Sequence, residues 1–114
     1  MLLLTTPQIE GKKIVQYYGL VSGETIIGAN VFKNVYVKIR DIIGGRVSTY
    51  EDVLRKAKEI ALSELQKEAE KLGANAVVGM KLDYKTLGRA GNNMLMVTTI
   101  GTAVLYEEKI LNAN

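Results

Sequence analysis

The chain has 114 residues, of which 47% are hydrophobic and 24% are charged, and its formal net charge is +3. A chain of this size buries about two-thirds of its unfolded surface, which supports one core, so we expect a single domain over residues 1–114. The apolar fraction excludes a disordered chain, and the absence of Cys and His excludes sites built on thiolate or imidazole. Basic residues are scattered among acidic ones, so we expect no nucleic-acid partner.

Two strands are predicted before residue 30. Met1 to Thr6 is apolar but too short, and too poor in basic residues, for a signal peptide, so it predicts a short strand. Lys12 to Val21 predicts a long strand, and Gly19 within it indicates a bulge or a close backbone approach. The segment from Val31 to Ile43 fits both strand alternation and helical spacing, so its pattern does not decide between a strand and a helix.

A capped helix is the clearest element of the sequence. Ser48 is followed three residues later by Glu51, which fits a capping box in which each side chain satisfies a backbone donor. Apolar residues then recur at three- and four-residue steps, and Gly73 stands where a left-handed cap belongs. The spacing predicts a helix over Thr49 to Leu72 with one apolar stripe. The stripe comprises Val53, Leu54, Ala57, Ile60, Ala61, Leu65, Ala69 and Leu72.

Two strands joined by a turn are predicted after the helix. The run from Ala76 to Lys85 alternates apolar and more polar positions, which predicts one apolar face. The run from Met94 to Tyr106 is apolar on both faces, and one helix layer covers only one of them. We therefore expect a second copy of the chain to cover the other face. Leu95, Val97, Ala103 and Leu105 are predicted to point one way, and Met94, Met96, Ile100 and Val104 the other.

The longest uncharged stretch does not predict a membrane span. Ala90 to Tyr106 is interrupted by Gly, Asn and Thr, whereas a spanning helix needs about 20 mostly apolar residues. We therefore expect a cytoplasmic protein with no membrane partner.

Four motifs together resemble the YbjQ-like family of small bacterial and archaeal proteins. The motifs are VSGETIIGANVF at Val21 to Phe32, IRDIIGGRVSTYEDVLRKA at Ile39 to Ala57, LGANAVVG at Leu72 to Gly79 and MLMVTTIGTAV at Met94 to Val104. The resemblance implies an α+β subunit similar to the dodecin-like architecture, with two helices packed on an antiparallel sheet. It also implies a helix in the ambiguous segment, and a ring-forming homo-oligomer, specifically a homopentamer.

The family carries a heavy-metal-binding description, which the donor inventory of this chain does not support. Soft metals favour thiolates, thioethers and imidazoles, and the four Met residues are the only such donors in the chain. Met94 and Met96 lie two apart on one strand, where flexible packing of a core or interface is a stronger interpretation than a Cu(I) site. We assign no metal site, and the cofactor stays unknown.

The first candidate ligand site is the segment Ser22, Gly23 and Glu24. A hydroxyl, an unhindered backbone and a carboxylate are adjacent there, which suits an anion or polar ligand in a loop. The alternative is a strand end followed by a turn.

The second candidate site comprises Arg40, Asp41, Gly44, Gly45 and Arg46. Two cations flank a glycine pair just before the capped helix, so backbone amides and a helix N-terminus could hold a phosphate or carboxylate. The alternative is a turn between helices in which an arginine pairs with a carboxylate of another subunit.

These features favour a non-catalytic oligomeric module that binds a small ligand or anion at subunit boundaries. The alternatives are a purely structural assembly subunit and an enzyme that uses Ser22, Glu24, Arg40 or Asp41. Such an enzyme would need a lysine as its base, and burial would have to lower the pKa of that lysine.

Overall fold

A computed structural model describes residues 1–27, 50–87 and 94–108. The elements in these ranges are β1 (Leu2–Leu3), β2 (Lys12–Ile27), α1 (Tyr50–Leu72), β3 (Ala76–Leu87) and β4 (Met94–Glu108). The strands form one sheet in the order β1, β3, β4, β2. β4 pairs antiparallel with β2 and β3, whereas β1 pairs parallel with β3. Within these ranges, no helix combines the length and apolar character that crossing a membrane requires.

The helix connects two parallel strands that are not neighbours in the sheet. β2 and β3 both run antiparallel to β4, which lies between them, so β2, α1 and β3 form a split β-α-β unit. We call the sheet face that α1 covers the inner face, and it includes Val21, Gly23, Leu95 and Val97. The opposite face is the outer face.

The predicted helix is confirmed from Tyr50 onward, and Ser48 lies outside the described residues. Its C-terminal end is a left-handed turn at Gly73, where φ is +94°. The buried side chains recur at every fourth position and are at most 1% exposed. They are Val53, Ala57, Ala61, Leu65 and Ala69. The apolar stripe is narrower than predicted, since Leu72 is 45% exposed.

The backbone of α1 approaches β2 most closely at Gly23. A Cβ atom built on Gly23 would lie 2.7 Å from the backbone nitrogen of Leu65 and would also overlap the carbonyl oxygen of Ala61. These neighbours are backbone atoms of a helix, which cannot move aside as a flexible side chain can. Glycine is therefore required at this position of β2.

β2 is longer than predicted and continues to Ile27. Of the two alternatives predicted at Gly19, a bulge and a close backbone approach, the structure shows the bulge, because the register with β4 shifts between Tyr17 and Gly19 and the φ of Gly19 is +106°. The shift keeps the side chains beyond it in step with β4, so that Val21 is buried under the helix.

A bulge in β3 exchanges the faces of its two halves. Val78 lies on the outer face and Leu82 on the inner face, although a regular strand would place both even-numbered residues on one face. The register shifts between them, at Gly79, where φ is +61°. The prediction of one continuous apolar face from Ala76 to Lys85 is therefore wrong.

The N-terminal segment covers one end of the outer face. Ile9, which is 8% exposed, packs there against Ala76, Val78 and Val104. The expectation that nothing within the chain covers the second face of β4 is wrong at this end. At the other end of β4, none of the described residues covers the outer face, and Ile100 is 45% exposed.

The prediction of two helices packed on an antiparallel sheet is wrong. The described residues form one helix and a mixed sheet. The parallel pair is β1 and β3. The chain leaves β1 at one edge of the sheet and crosses the outer face to β2 at the other edge. As a result β1, β2 and β3 all run in the same direction, and β4 runs opposite to them. The second helix expected at Val31 to Ile43 lies outside the described residues. An α+β architecture agrees with the elements observed.

We predict that Gly23→Ala lowers the free energy of unfolding by about 3 kcal/mol, the upper end of the usual range for overpacking, because the new methyl group overlaps the α1 backbone. Ser22→Ala, whose side chain lies on the outer face of the same strand, is the control and should change it by about 0.5 kcal/mol. Urea denaturation at one fixed protein concentration measures both values. Equal effects of the two substitutions would contradict the close approach.

The side chain of Asn75 extends the β3–β4 ladder by one residue. Its Nδ2 donates to the Tyr106 carbonyl at 3.0 Å, and its Oδ1 accepts from the Tyr106 amide at 2.9 Å. We predict that Asn75→Ala costs about 1 to 3 kcal/mol in the same measurement, because two partly buried backbone groups lose their partner. Gln66→Ala, which removes an exposed bond to Glu70 of 3.2 Å, should cost much less. A neutral Asn75→Ala would show that water replaces both bonds.

Candidate functional site

The first predicted ligand segment lies inside β2 and not in a loop or turn. Its side chains alternate between the two faces of the sheet, so Ser22 and Glu24 lie on the outer face and Gly23 lies against α1. Glu24 is exposed and Ser22 is half-buried. The structure thus brings the hydroxyl and the carboxylate to one surface and uses the glycine for packing.

The second predicted ligand segment lies outside the described residues. This applies to Arg40, Asp41, Gly44, Gly45 and Arg46.

The sheet register groups the outer-face side chains near Ser22 into three rows that run across the strands. Each row has one residue from β2, one from β4 and one from β3, and residues paired directly across neighbouring strands have Cβ atoms about 5 Å apart. The three rows are Ser22, Ile100 and Lys81; Glu24, Thr98 and Asp83; and Ile26, Met96 and Lys85.

This arrangement brings polar, charged and apolar side chains together on the outer face. Lys81 is the outer-face lysine in the same row as Ser22, but Ile100 on β4 lies between them. The printed contact of Ser22 is made by its backbone amide and not by its hydroxyl, so the structure joins no base to that hydroxyl among the described residues. The middle row places Glu24 and Asp83 on either side of Thr98. The surface therefore combines hydrogen-bonding groups and both signs of charge with apolar contacts.

The helix also reaches the edge of β2 beside this surface. The backbone amide of Ser22 donates to the Glu68 carboxylate at 3.2 Å, so this amide points away from β4. Glu68 belongs to α1, and its side chain satisfies a donor that an edge strand would otherwise leave to water. Such cover is one way in which proteins protect sheet edges.

The opposite edge of the sheet is only partly covered. The backbone bonds from the N-terminal segment to β3 end at Met80, whose amide donates to the Leu4 carbonyl at 3.0 Å. From Lys81 to Leu87, β3 has no strand beside it on that edge within the described ranges. An unpaired strand edge is the kind of surface to which a further strand can add.

The donors of the described residues do not build a heavy-metal site. No group of three or more His, Cys, Asp or Glu side chains is arranged to hold an ion within residues 1–27, 50–87 and 94–108. Met80 is buried in the inner core, whereas Met94 and Met96 lie on the outer face of β4. Thioethers this sparse, without thiolate or imidazole in the whole chain, do not fit the preferences of soft metals.

Sequence reasoning missed the partners of Ser22 and Glu24 on the outer face. Lys81, Asp83 and Thr98 lie about 60 to 75 residues away along the chain, and only the strand register brings them alongside. The alternation within β3 indicates which of its side chains share a face. The bulge at Gly79, however, exchanges the faces of the residues that follow it.

Comparison with known proteins agrees with the motifs and the fold. The model of the YbjQ family, described as "Putative heavy-metal-binding", matches residues 1–107. A similar solved structure is that of a protein of unknown function from Pediococcus pentosaceus, which belongs to the DUF74 family. It shares 19% sequence identity with a TM-score of 0.61, and the match covers 94% of this chain and 98% of that one. That likeness supports the fold, and the match over residues 1–107 shows that the chain belongs to the YbjQ family.

Proposed function

We propose that this protein is a non-catalytic binding module that works as a homo-oligomer and holds a small ligand at the boundaries between copies. The observation that carries the proposal is the group of large apolar side chains left open on the outer face. Leu20 is 74% exposed, Ile26 is 51% exposed and Ile100 is 45% exposed. Surfaces of this kind, rimmed by polar groups, are typical of interaction sites.

The energy available at this face supports association. Full burial of a side chain such as Ile26 or Ile100 stabilises a complex by about 1.5 to 3 kcal/mol before the cost of association is subtracted. Several such side chains with a free sheet edge beside them therefore favour a second copy as the covering partner. From the family resemblance we adopt a homopentamer as the assembly. We also propose that the protein is cytoplasmic.

Charge on the outer face also favours contact between copies. β3 presents Lys81 and Lys85 on this face, and β2 presents Glu24. A second copy that lies across the outer face would bring Glu24 of one copy near the lysines of the other. Exposed pairs of this kind contribute at most about 1 kcal/mol each.

An enzymatic role and a heavy-metal role have less support. The hydroxyl of Ser22 has no hydrogen-bonded base among the described residues, and its neighbour in the row is Ile100. The family's heavy-metal description does not fit the donors of this chain, which has no Cys and no His. A ligand held by hydrogen bonds, charge and apolar contact fits the surface better.

We predict that Ile26→Lys combined with Ile100→Lys dissociates the assembly, because two cations would have to be buried at the contact. Sedimentation velocity at micromolar concentration should show an oligomer for the wild type and a monomer for this variant, with circular dichroism confirming that both are folded. Ser63→Lys, on the exposed side of α1, adds the same charge and should leave the assembly intact. A monomeric wild type would contradict the proposal.

We also predict that calorimetric titration with Zn²⁺, Cd²⁺ and Cu(I), in buffer without chelators, shows no submicromolar site. The physical reason is the lack of thiolate and imidazole donors. A submicromolar Cu(I) site that disappears in the Met94→Leu, Met96→Leu variant would show that the two thioethers are ligands and not packing residues.

A further inference from the structure

Among the described residues, the edge of β3 loses its backbone partners where the N-terminal segment leaves it. The last bond from that segment joins the Leu4 carbonyl to the Met80 amide at 3.0 Å. Every second residue of a strand directs its backbone groups to the same side, so those of Leu82, Tyr84 and Thr86 also point away from β4. No backbone group of the described ranges bonds to them there. This stretch can therefore pair with a strand that comes from outside those ranges.

A small hollow lies beside this edge on the inner face, and its volume is about 230 Å³. Its apolar walls include Leu3 of β1, Leu62 of α1, and Met80 and Leu82 of β3. The hollow exists because α1 lies mainly over β2 and β4, so β3 has less cover beyond its bulge. Since side chains alternate between the faces of a sheet, every second side chain of an added strand would point to this side. The hollow is thus placed to receive one of them.

The size and walls of the hollow favour an aliphatic side chain. A leucine side chain has four carbon atoms, which at about 30 Å³ for a group of the size of water occupy about 120 Å³. The hollow of about 230 Å³ has room for that side chain. A polar side chain would lose its water there against walls that are mostly apolar, which costs free energy unless each polar group finds a partner.

One cation of α1 also lines the hollow. Lys58 forms no ion pair within the part of the chain that the structure describes, whereas Lys67 on the same helix lies 3.8 Å from Glu64. The helix runs opposite to β3, since it connects the end of β2 to the start of β3. Lys58 therefore lies one turn farther along β3 than Leu62 does. A carboxylate on the next inward side chain of an added strand would complement this cation.

We propose that the edge of β3 from Lys81 to Leu87 binds an extended segment of another protein as an added strand. An aliphatic side chain of that segment occupies the hollow, and a carboxylate two residues away lies beside Lys58. A second copy of the chain is a poorer occupant of this edge, because the Ser22 amide on its own edge strand β2 already bonds to Glu68. The inference goes beyond the proposed function, in which the copies meet at the outer face.

The first test is a titration of the isotopically labelled full chain, followed by nuclear magnetic resonance. The probes are the capped peptide Leu-Thr-Glu-Thr-Val-Thr and the same residues in reverse order, since an edge strand pairs in either direction. We expect the largest shifts at the amides of Leu82, Tyr84 and Thr86. Hydrogen exchange of these amides should slow by about tenfold or more at saturation. A peptide N-methylated at every residue keeps the side chains but lacks the backbone donors, and it should not bind.

Three results of this titration would overturn the inference. The first is that neither peptide binds at millimolar concentration. The second is that the N-methylated peptide binds as well as the unmodified one, which would exclude pairing through the backbone. The third is that the amides of Leu82 and Tyr84 are already protected from exchange in the protein without peptide, which would show that a segment of this chain occupies the edge.

The second test separates the contributions of the side chains. Alanine in place of the peptide leucine should weaken binding by about tenfold, because the hollow loses its occupant. Lys58→Gln should weaken binding of the peptide with glutamate by about threefold and leave unchanged a peptide with glutamine in that place. Lys67→Gln, on the exposed side of α1, is the matched control and should change neither. Equal effects of Lys58→Gln on both peptides would overturn the role of its charge.

Sedimentation of the same samples tests the proposed function separately. Peptide binding by a chain that sediments as a monomer would contradict the proposed function and support this inference. An oligomer that binds none of the peptides would support the proposed function and overturn this inference.

Discussion

The close approach of α1 to β2 at Gly23 determines how the helix and the sheet of this protein meet. Since no side chain stands there, the helix backbone rests directly on the strand, and its buried positions are filled mainly by Ala57, Ala61 and Ala69. Small residues on both elements allow tight packing, which removes a large area of apolar surface from contact with water. The same placement takes α1 to the edge of β2, where Glu68 meets the Ser22 amide. It also leaves the inner face of β3 beside Leu82 with less cover from α1.

The outer face divides into two parts because only one end of it is covered from within the chain. Ile9 and its neighbours close the end near Val104, where the core is apolar and sealed. The other end keeps Ile26 and Ile100 exposed beside polar and charged side chains. A surface that mixes exposed apolar groups with both signs of charge favours partners that supply the complementary pattern.

This chain holds few of the donors that the metal-binding description of its family would need. Soft metals are held by sulfur and imidazole ligands that converge from several elements, and this chain offers only thioethers of which one, Met80, lies in the core. The groups that do converge are carboxylates, ammonium groups and apolar side chains. These groups suit organic ligands and protein partners, whose recognition depends on charge and contact area and not on coordination geometry.

The sequence by itself determined those features that depend on neighbouring residues. The helix, the strands after it and the bulge at Gly19 follow from local periodicity, capping and backbone freedom, and the structure confirms them. Only the tertiary structure decided the parallel edge strand, the change of face at Gly79, the placement of Ser22 and Glu24 within β2, and the grouping of Lys81 and Asp83 with them. Each of these depends on which strands pair and in what register. Pairing is set by contacts between residues far apart in the chain, and a local sequence pattern carries no information about those contacts.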